Sequence, residues 1–167
     1  EPILTLFPGS RKQELSRHLP LFIKVAQKLR DTNHKIQFIL GLAPELNLEN
    51  FSIPDWIQIE KNHPKKALEC ADGSLVASGS ATLEAAVFGT PMIIIYKMAI
   101  LSWWLSKLLV KTDYAGMVNI IARREIMPEL LQENATPEKV FSTASSILKN
   151  PEKMEKMHKM QIAKSDV

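Results

Sequence analysis

Short runs of apolar residues alternate along the chain with longer segments in which apolar residues recur at helical spacing. The short runs are typical of strands buried in a sheet, and the wider spacing is typical of helices with one buried face. Strands are predicted at Ile3–Phe7, Ile36–Leu40, Trp56–Glu60, Ser74–Ala77 and Met92–Tyr96. Because helical segments separate these runs, we predict the α/β class, with a doubly wound parallel sheet of Rossmann-like type.

The first helical segment contains a proline. Apolar residues from Leu15 to Leu29 follow one helical face, and Pro20 interrupts that pattern. Proline is tolerated in the first turn of a helix but removes a hydrogen bond from its interior. We therefore expect one short helix to end near His18 and a second helix to begin with Pro20.

Later helices have predicted starts and stops. Gly89 is expected to end a helix over Ser80–Phe88, because glycine is the common C-terminal stop. From Glu129 onward the chain is predicted to be helical. Thr136 and Asn150 each precede a proline and are predicted to cap two helices there.

Composition fits one soluble globular domain over residues 1–167, since 46% of the residues are hydrophobic and 23% are charged. A net charge of +3 suits an anionic ligand or membrane surface, but it is too small to indicate nucleic acid. The single cysteine, Cys70, is predicted to pack in the core of a protein from a reducing compartment. Four histidines lack metal-ligand spacing, so no metal and no cofactor are expected, and most of them are predicted to face solvent.

The turn after the first strand is Phe7-Pro8-Gly9-Ser10-Arg11. Gly9 lets backbone amides approach a ligand, the following helix points its positive end there, and Arg11 adds a planar fork suited to phosphate. A structural alternative stays open. Ser10 and Gln13 have the spacing of a capping box, which predicts nothing more than a helix start.

The turn after the fourth strand contains Ser78, Gly79, Ser80 and Ala81, four small residues that let another molecule approach the main chain. No capping-box partner follows Ser80. Glu84 lies one turn inside the helix, where its carboxylate is placed to accept hydrogen bonds from sugar hydroxyls or to compensate the helix dipole. Neither turn matches a dinucleotide-binding fingerprint or a P-loop, so the combined pattern favours another type of nucleotide site.

The segment from Tyr96 to Lys111 is apolar along one helical face but too short to cross a bilayer. Trp103 falls off that face among lysines 97, 107 and 111, which resembles an interfacial membrane anchor. Packing against a partner domain is the alternative.

The chain lacks an initial methionine and enters a strand at once, so it is expected to be a piece of a longer protein.

Six segments together resemble the lipid-A-disaccharide synthase family of GT-B glycosyltransferases, and they occur in the family's order. They are Leu6–Arg11 with Glu14, Ala77–Glu84, Pro91–Lys97, Leu109–Tyr114, Asn119–Ala122 and Pro128–Gln132. The resemblance implies the C-terminal Rossmann-like half of a GT-B fold, facing an N-terminal acceptor domain that is absent from this chain. It implies a hexosyltransferase of lipid A biosynthesis, peripheral on the cytoplasmic side of the inner membrane, with no nucleic-acid partner.

The reaction that the resemblance implies takes UDP-2,3-diacylglucosamine as donor and 2,3-diacylglucosamine 1-phosphate (lipid X) as acceptor, and yields lipid A disaccharide and UDP. The general base is expected in the N-terminal domain, so the isolated chain is expected to bind UDP weakly and to transfer nothing. The implied UDP-binding residues are Gly9, Ser10, Arg11, Ser78, Gly79, Ser80, Ala81, Glu84 and Asn119, with Glu84 on the ribose.

The chain departs from the family pattern at three places. Ser80 replaces a common threonine, Met117-Val118 replaces Leu-Pro before Asn119, and Arg123 replaces a small residue or glycine. The alternatives are another GT-B enzyme that uses UDP-GlcNAc, such as a lipid II-type transferase or a 2-epimerase, and a non-catalytic phosphate-binding module.

Overall fold

The computed structural model describes residues 1–99 and 114–165. Their strands are β1 (Ile3–Phe7), β2 (Gln37–Gly41), β3 (Ile57–Glu60), β4 (Gly73–Ala77), β5 (Met92–Tyr96) and β6 (Glu129–Leu131). Their helices are α1 (Lys12–Thr32), α2 (Pro64–Glu69), α3 (Ser80–Val87), α4 (Met117–Ala122), α5 (Pro137–Leu148) and α6 (Pro151–Ser165). The predicted α/β class is therefore confirmed.

The strands form one parallel sheet in the order β3-β2-β1-β4-β5-β6. From β1 the chain proceeds towards one edge of the sheet, and from β4 it proceeds towards the other. Parallel crossover connections share one hand, so α1 and α3 cover opposite faces of the sheet. Accordingly α1 packs against α5, whereas α3 packs against α2, α4 and α6. The strand order reverses between β1 and β4, where sheets of this kind bind ligands.

The core lies on both faces of the central strands. All five residues of β4 are buried, as are the first four residues of β5. Helix α1 covers one face with side chains that recur at helical spacing, and its fully buried members include Leu19, Phe22 and Val25. Strands that are covered on both sides need continuous apolar sequence, which explains the unbroken run of β5.

Helix α1 passes through Pro20 without a break, so the expectation of two helices over this segment is wrong. Pro20 lacks the N–H that would bond to the Ser16 carbonyl, and both residues are exposed, so water can reach this end of the missing bond. The residues on either side of Pro20 in sequence, Leu19 and Leu21, are buried in the core. Packing of this apolar face therefore outweighs the local penalty of the proline.

The predicted helix from Glu129 onward is also wrong at its start, because Glu129–Leu131 forms the edge strand β6. Residue Ile94 of β5 pairs with Glu129, so tertiary pairing overrides the helical propensity of this segment.

The two predicted caps are confirmed. The Thr136 hydroxyl accepts a hydrogen bond from the Lys139 amide, and the Asn150 side chain accepts one from the Lys153 amide.

Cys70 is exposed, so the prediction that it packs in the core is wrong. Helix α2 contains only six residues and buries Ala67 and Leu68. Cys70 follows the last helical residue, Glu69, and lies beyond the buried face.

Candidate functional site

A cavity of about 620 Å³ opens at the carboxyl ends of the central strands. The turn after β1 and the turn after β4 both line it, because β1 and β4 are neighbours and their carboxyl ends meet at the same edge. Eight of the nine residues singled out from the sequence lie around this cavity, namely Gly9, Ser10, Arg11, Ser78, Gly79, Ser80, Ala81 and Glu84. The two turns therefore form one site.

The turn after β1 is fixed by Glu14. Its carboxylate accepts hydrogen bonds from the backbone amides of Ser10, at 2.9 Å, and Arg11, at 3.2 Å. The predicted pairing of Ser10 with Gln13 is therefore wrong, since the helix begins one residue later and Glu14 supplies the acceptor. Gly9 has a φ of +115°, a conformation that glycine adopts readily and other residues avoid. The side chain of Arg11 remains exposed at the rim of the cavity.

The turn after β4 is open. Gly79 precedes α3 with a φ of +151°, and no side chain caps the helix start. Thr82 directs both its amide, at 3.1 Å, and its hydroxyl, at 2.7 Å, to the Gly79 carbonyl. The amides of Ser80 and Ala81 lie in the first turn of the helix and therefore have no acceptor within it. A Cβ placed on Gly79 would meet no heavy atom within 4 Å. The main chain here is thus accessible from the cavity.

The Ser78 side chain has a structural role. Its hydroxyl donates to the carbonyl of Ala115 at 2.7 Å and ties the β4 turn to the segment that precedes α4. The hydroxyl proton of Ser78 is therefore used within the protein.

Glu84 lines the cavity together with Lys65, a residue that the sequence patterns did not single out. The Lys65 ammonium lies 3.0 Å from a Glu84 carboxylate oxygen. The Glu84 side chain is 27% exposed, so one part of the carboxylate is paired with Lys65 and the rest is open to the cavity. With Arg11 and Glu14, the lining carries two positive and two negative side chains.

Asn119 is not among the residues that line the cavity, so its role in binding a ligand stays a prediction. Its side chain is fully buried, and its Nδ2 donates to the Met127 carbonyl and to Glu129 Oε1, each at 2.7 Å. Its Oδ1 accepts from the amides of Ile126 at 2.9 Å and Met127 at 3.0 Å. All four hydrogen-bonding positions of the amide are therefore used inside the protein.

Part of the cavity lining comes from residues that the sequence analysis did not nominate. They are apolar or small residues from several elements, namely Phe7, Gly41, Ala43, Pro44, Pro64 and Tyr96. Phe7, Gly41 and Tyr96 are the last residues of β1, β2 and β5. Ala43 and Pro44 follow β2, and Pro64 follows β3. These residues could have been predicted from the sequence. Ligands bind at this edge of a parallel sheet, and each strand end was predicted within one or two residues.

A buried histidine connects the first turn of α1 to the segment that follows β5. The Lys97 amide donates to His18 Nε2 at 3.0 Å, so the ring hydrogen lies on Nδ1 and bonds to the Glu14 carbonyl at 2.8 Å. Burial lowers the pKa of the His18 imidazole below its ordinary value, while Glu14 raises it and Arg17 lowers it further. The other histidines, 34, 63 and 158, are exposed as predicted.

This geometry predicts that acid destabilises the protein through His18. An imidazole whose pKa is lower in the folded state stabilises the fold when neutral, and that contribution is lost as the pH falls from about 6.5 through the folded-state pKa. Urea unfolding between pH 7.5 and 5 should show a smaller loss of unfolding free energy in His18→Gln, which does not titrate. Equal losses in the two proteins would contradict the prediction.

Within residues 1–99 and 114–165, no group of three or more His, Cys, Asp or Glu is arranged to bind a metal ion. No helix in the same ranges is long and apolar enough to cross a membrane. The proposed interfacial anchor around Trp103, Lys107 and Lys111 lies outside the described residues.

Comparison with known protein families shows which family this chain belongs to. The profile of the family described as "LpxB: Lipid-A-disaccharide synthetase" matches residues 1–166. The chain belongs to the lipid-A-disaccharide synthase family. One curated relative, the lipid-A-disaccharide synthase of Nitrosococcus oceani, is 35% identical over 161 residues, a match that covers 92% of this chain and 41% of the relative. The chain therefore spans less than half the length of this synthase.

Solved structures agree on the fold of this lipid-A-disaccharide synthase family member. The spinosyn rhamnosyltransferase SpnG, complexed with thymidine diphosphate, superposes with a TM-score of 0.67 at 16% identity over 96% of this chain and 40% of its own. A UDP-GlcNAc 2-epimerase from Neisseria meningitidis, bound to UDP-GlcNAc, gives 0.63 at 13% identity over 95% and 39%. At such identities the likeness establishes the GT-B-like fold alone.

Two departures from the synthase family pattern have local explanations. Val118, in place of proline, lies in the first turn of α4, where an N–H has no helical acceptor and proline or valine fits equally. Arg123 ends α4 with a φ of +53°, the left-handed conformation that favours glycine. The fold of the segment therefore survives both substitutions, and Asn119 keeps its hydrogen bonds.

Proposed function

We propose that this chain is the nucleotide-binding domain of a lipid-A-disaccharide synthase and binds the UDP part of UDP-2,3-diacylglucosamine. The whole protein would transfer the acylated glucosamine to 2,3-diacylglucosamine 1-phosphate and release UDP. Family membership supports this reaction, and the cavity between the Gly9 and Gly79 turns supports the binding site.

The observation on which the proposal chiefly rests is the open start of α3 beside the Arg11 side chain. Amides of Ser80 and Ala81 are free of side-chain caps at the positive end of the helix, which is a favourable place for a diphosphate. Arg11 lines the same cavity and offers a guanidinium that binds phosphate oxygens in pairs. We assign the diphosphate to these three groups.

The assignment fits the chemistry of glycosyl transfer. The bond between the anomeric carbon and the UDP oxygen breaks, a bond to an acceptor hydroxyl oxygen forms, and the hydroxyl proton passes to a base. Negative charge grows on the departing diphosphate, and donors that are already oriented stabilise it without reorganising at the moment of reaction. The base is assigned to the acceptor domain, and none of the described residues is nominated for it.

The remainder of the nucleotide has a place in the same cavity. Glu84, one turn into α3, is assigned to the ribose because a carboxylate accepts hydrogen bonds from two adjacent hydroxyls. Its pairing with Lys65 at 3.0 Å restricts the carboxylate while leaving acceptor positions open. Ala43, Pro44 and Pro64 line the cavity and offer apolar surface to a planar base.

Calorimetric titration of this chain with UDP tests the site. We expect weak but measurable binding, and we expect Arg11→Ala to raise the dissociation constant about tenfold, the effect of losing one charge-assisted contact at an exposed rim. Arg17→Ala is the control, because it removes the same charge from an exposed position of α1 that does not line the cavity.

Each outcome is informative. A loss of UDP affinity in Arg11→Ala alone supports the site. Equal losses in Arg11→Ala and Arg17→Ala would mean that the overall positive charge, and not a contact of Arg11, accounts for the effect. A folded chain that gives no heat with UDP would reject the proposal. Titration with UDP-GlcNAc and with an acylated UDP-glucosamine then separates this enzyme from an unacylated-donor GT-B enzyme.

Partners and place in the cell complete the proposal. Residues 1–167 would form one of two facing domains, and the partner domain would bind the acylated acceptor. The whole enzyme would act as a peripheral protein on the cytoplasmic face of the inner membrane, a location supported by its acylated substrates and by the Trp- and Lys-bearing sequence around Trp103.

A further inference from the structure

The two turns that line the cavity use their backbone amides differently. At the start of α3 no side chain accepts hydrogen bonds from the helix amides. At the start of α1 the Glu14 carboxylate accepts from the Ser10 amide at 2.9 Å and from the Arg11 amide at 3.2 Å. The first turn therefore offers a side chain to the cavity, whereas the second offers main-chain donors.

Glu14 and Gly9 are fitted to each other. A Cβ on Gly9 would lie 2.5 Å from both the Cβ and the Oε2 of Glu14, closer than real contacts allow. Glu14 is half-buried beneath the turn and also lines the cavity. The path of the chain from Gly9 to Arg11 is thus set by the Glu14 side chain on one side and by the glycine on the other.

The backbone of Glu14 is anchored in turn. His18 Nδ1 bonds to the Glu14 carbonyl at 2.8 Å, and His18 Nε2 accepts from the Lys97 amide at 3.0 Å. This connection joins the first turn of α1 to the segment after β5, across the buried interior. The Glu14 residue that binds the Arg11 amide is therefore itself held in position by the rest of the fold.

We infer that Glu14 is a positioning residue, which holds the turn of Arg11 so that the guanidinium faces the diphosphate. The inference rests on the proposed function and deepens it: the Ser10 and Arg11 amides are committed to Glu14, so the first turn contributes the Arg11 side chain and not these two amides. The backbone donors to the diphosphate come from Ser80 and Ala81.

A different role for Glu14 has the opposite consequence. A carboxylate near a diphosphate repels it, so a Glu14 that only competed for the amides would weaken nucleotide binding. Its removal would then tighten binding. The direction of the change in UDP affinity separates positioning from competition.

The test uses calorimetric titration of the chain with UDP in four variants: Glu14→Ala, Glu14→Gln, Arg11→Ala and the double alanine variant. Glutamine keeps an oxygen that accepts from the two amides and removes the charge. We expect Glu14→Ala to raise the dissociation constant about fivefold, and Glu14→Gln to remain within about twofold of the unmodified chain. In the Arg11→Ala background, replacing Glu14 with alanine should cause no further loss of UDP affinity.

Three outcomes would overturn the inference: tighter binding in Glu14→Ala, equal losses in the alanine and glutamine variants, or a full additional loss in the double variant. Circular dichroism shows whether each variant is folded, and Glu14→Gln keeps the test decisive if the alanine variant unfolds. The proposed function fails separately, when Arg11→Ala has the same affinity as the unmodified chain.

Discussion

Replacing Asn119 with alanine is expected to lower the free energy of unfolding by about 3–5 kcal/mol, because each buried polar group left without a partner costs about 1–3 kcal/mol. The amides of Ile126 and Met127 would lose their acceptor, and the Met127 carbonyl would lose its donor. The Asn119 site is fully buried, so water cannot replace the missing groups without opening the fold. Urea unfolding of both proteins measures the difference.

Ile121→Ala is the control for this prediction. Ile121 belongs to the same short helix but is 58% exposed, so its truncation should change the unfolding free energy by less than about 0.5 kcal/mol. Titration with UDP adds a second measurement. If Asn119→Ala kept its stability and lost its affinity for UDP, then Asn119 would be a ligand residue after all, and the structural role assigned to it would be wrong.

The hydrogen bonds of Asn119 also show where sequence reasoning stops. Resemblance to the family singled out the residue but not the direction of its side chain. Its partners come from residues 126–129, a segment without hydrophobic periodicity, in which β6 was mistaken for a helix. Glu129 additionally accepts from the amides of Ala115 at 2.8 Å and Gly116 at 2.9 Å, contacts that no local pattern specifies.

The convergence of the Gly9 and Gly79 turns was predictable from sequence, and the reason is geometric. Each turn follows a strand, and parallel strands place their carboxyl ends at one edge. That β1 and β4 are direct neighbours depends on the order of the strands in the sheet, which single-sequence patterns leave open. The prediction of one common site therefore rested on the resemblance as well as on the turns.

The predictions for Pro20 and Cys70 were wrong because a local sequence rule was applied without knowing which residues are exposed. The proline rule assumes that the freed carbonyl needs a protein partner, yet Pro20 is exposed, where water can take that place. The preference of cysteine for the interior assumes a buried helix face, yet Cys70 follows the end of α2. Both outcomes depend on which side of a helix packs, and that is a tertiary property.

Replacing Gly79 with alanine is expected to reduce UDP affinity more than a hundredfold, because two charge-assisted hydrogen bonds are worth about 3 kcal/mol or more together. Gly79 has a φ of +151° and a ψ of −161°, a region that is essentially restricted to glycine. An alanine forces the turn into another conformation and moves the amides of Ser80 and Ala81 away from the cavity. Calorimetric titration with UDP measures the loss.

The control separates backbone strain from damage to the site. Gly89, at the other end of α3, has a φ of +69° and lies on a different cavity, so Gly89→Ala introduces backbone strain away from the proposed diphosphate site. Both variants should lose stability in urea, by about 1–3 kcal/mol. Only Gly79→Ala should lose UDP affinity when both are compared as folded proteins. Equal affinities in the two variants would mean that the start of α3 does not bind the diphosphate, and the nucleotide site would have to be sought elsewhere on the sheet edge.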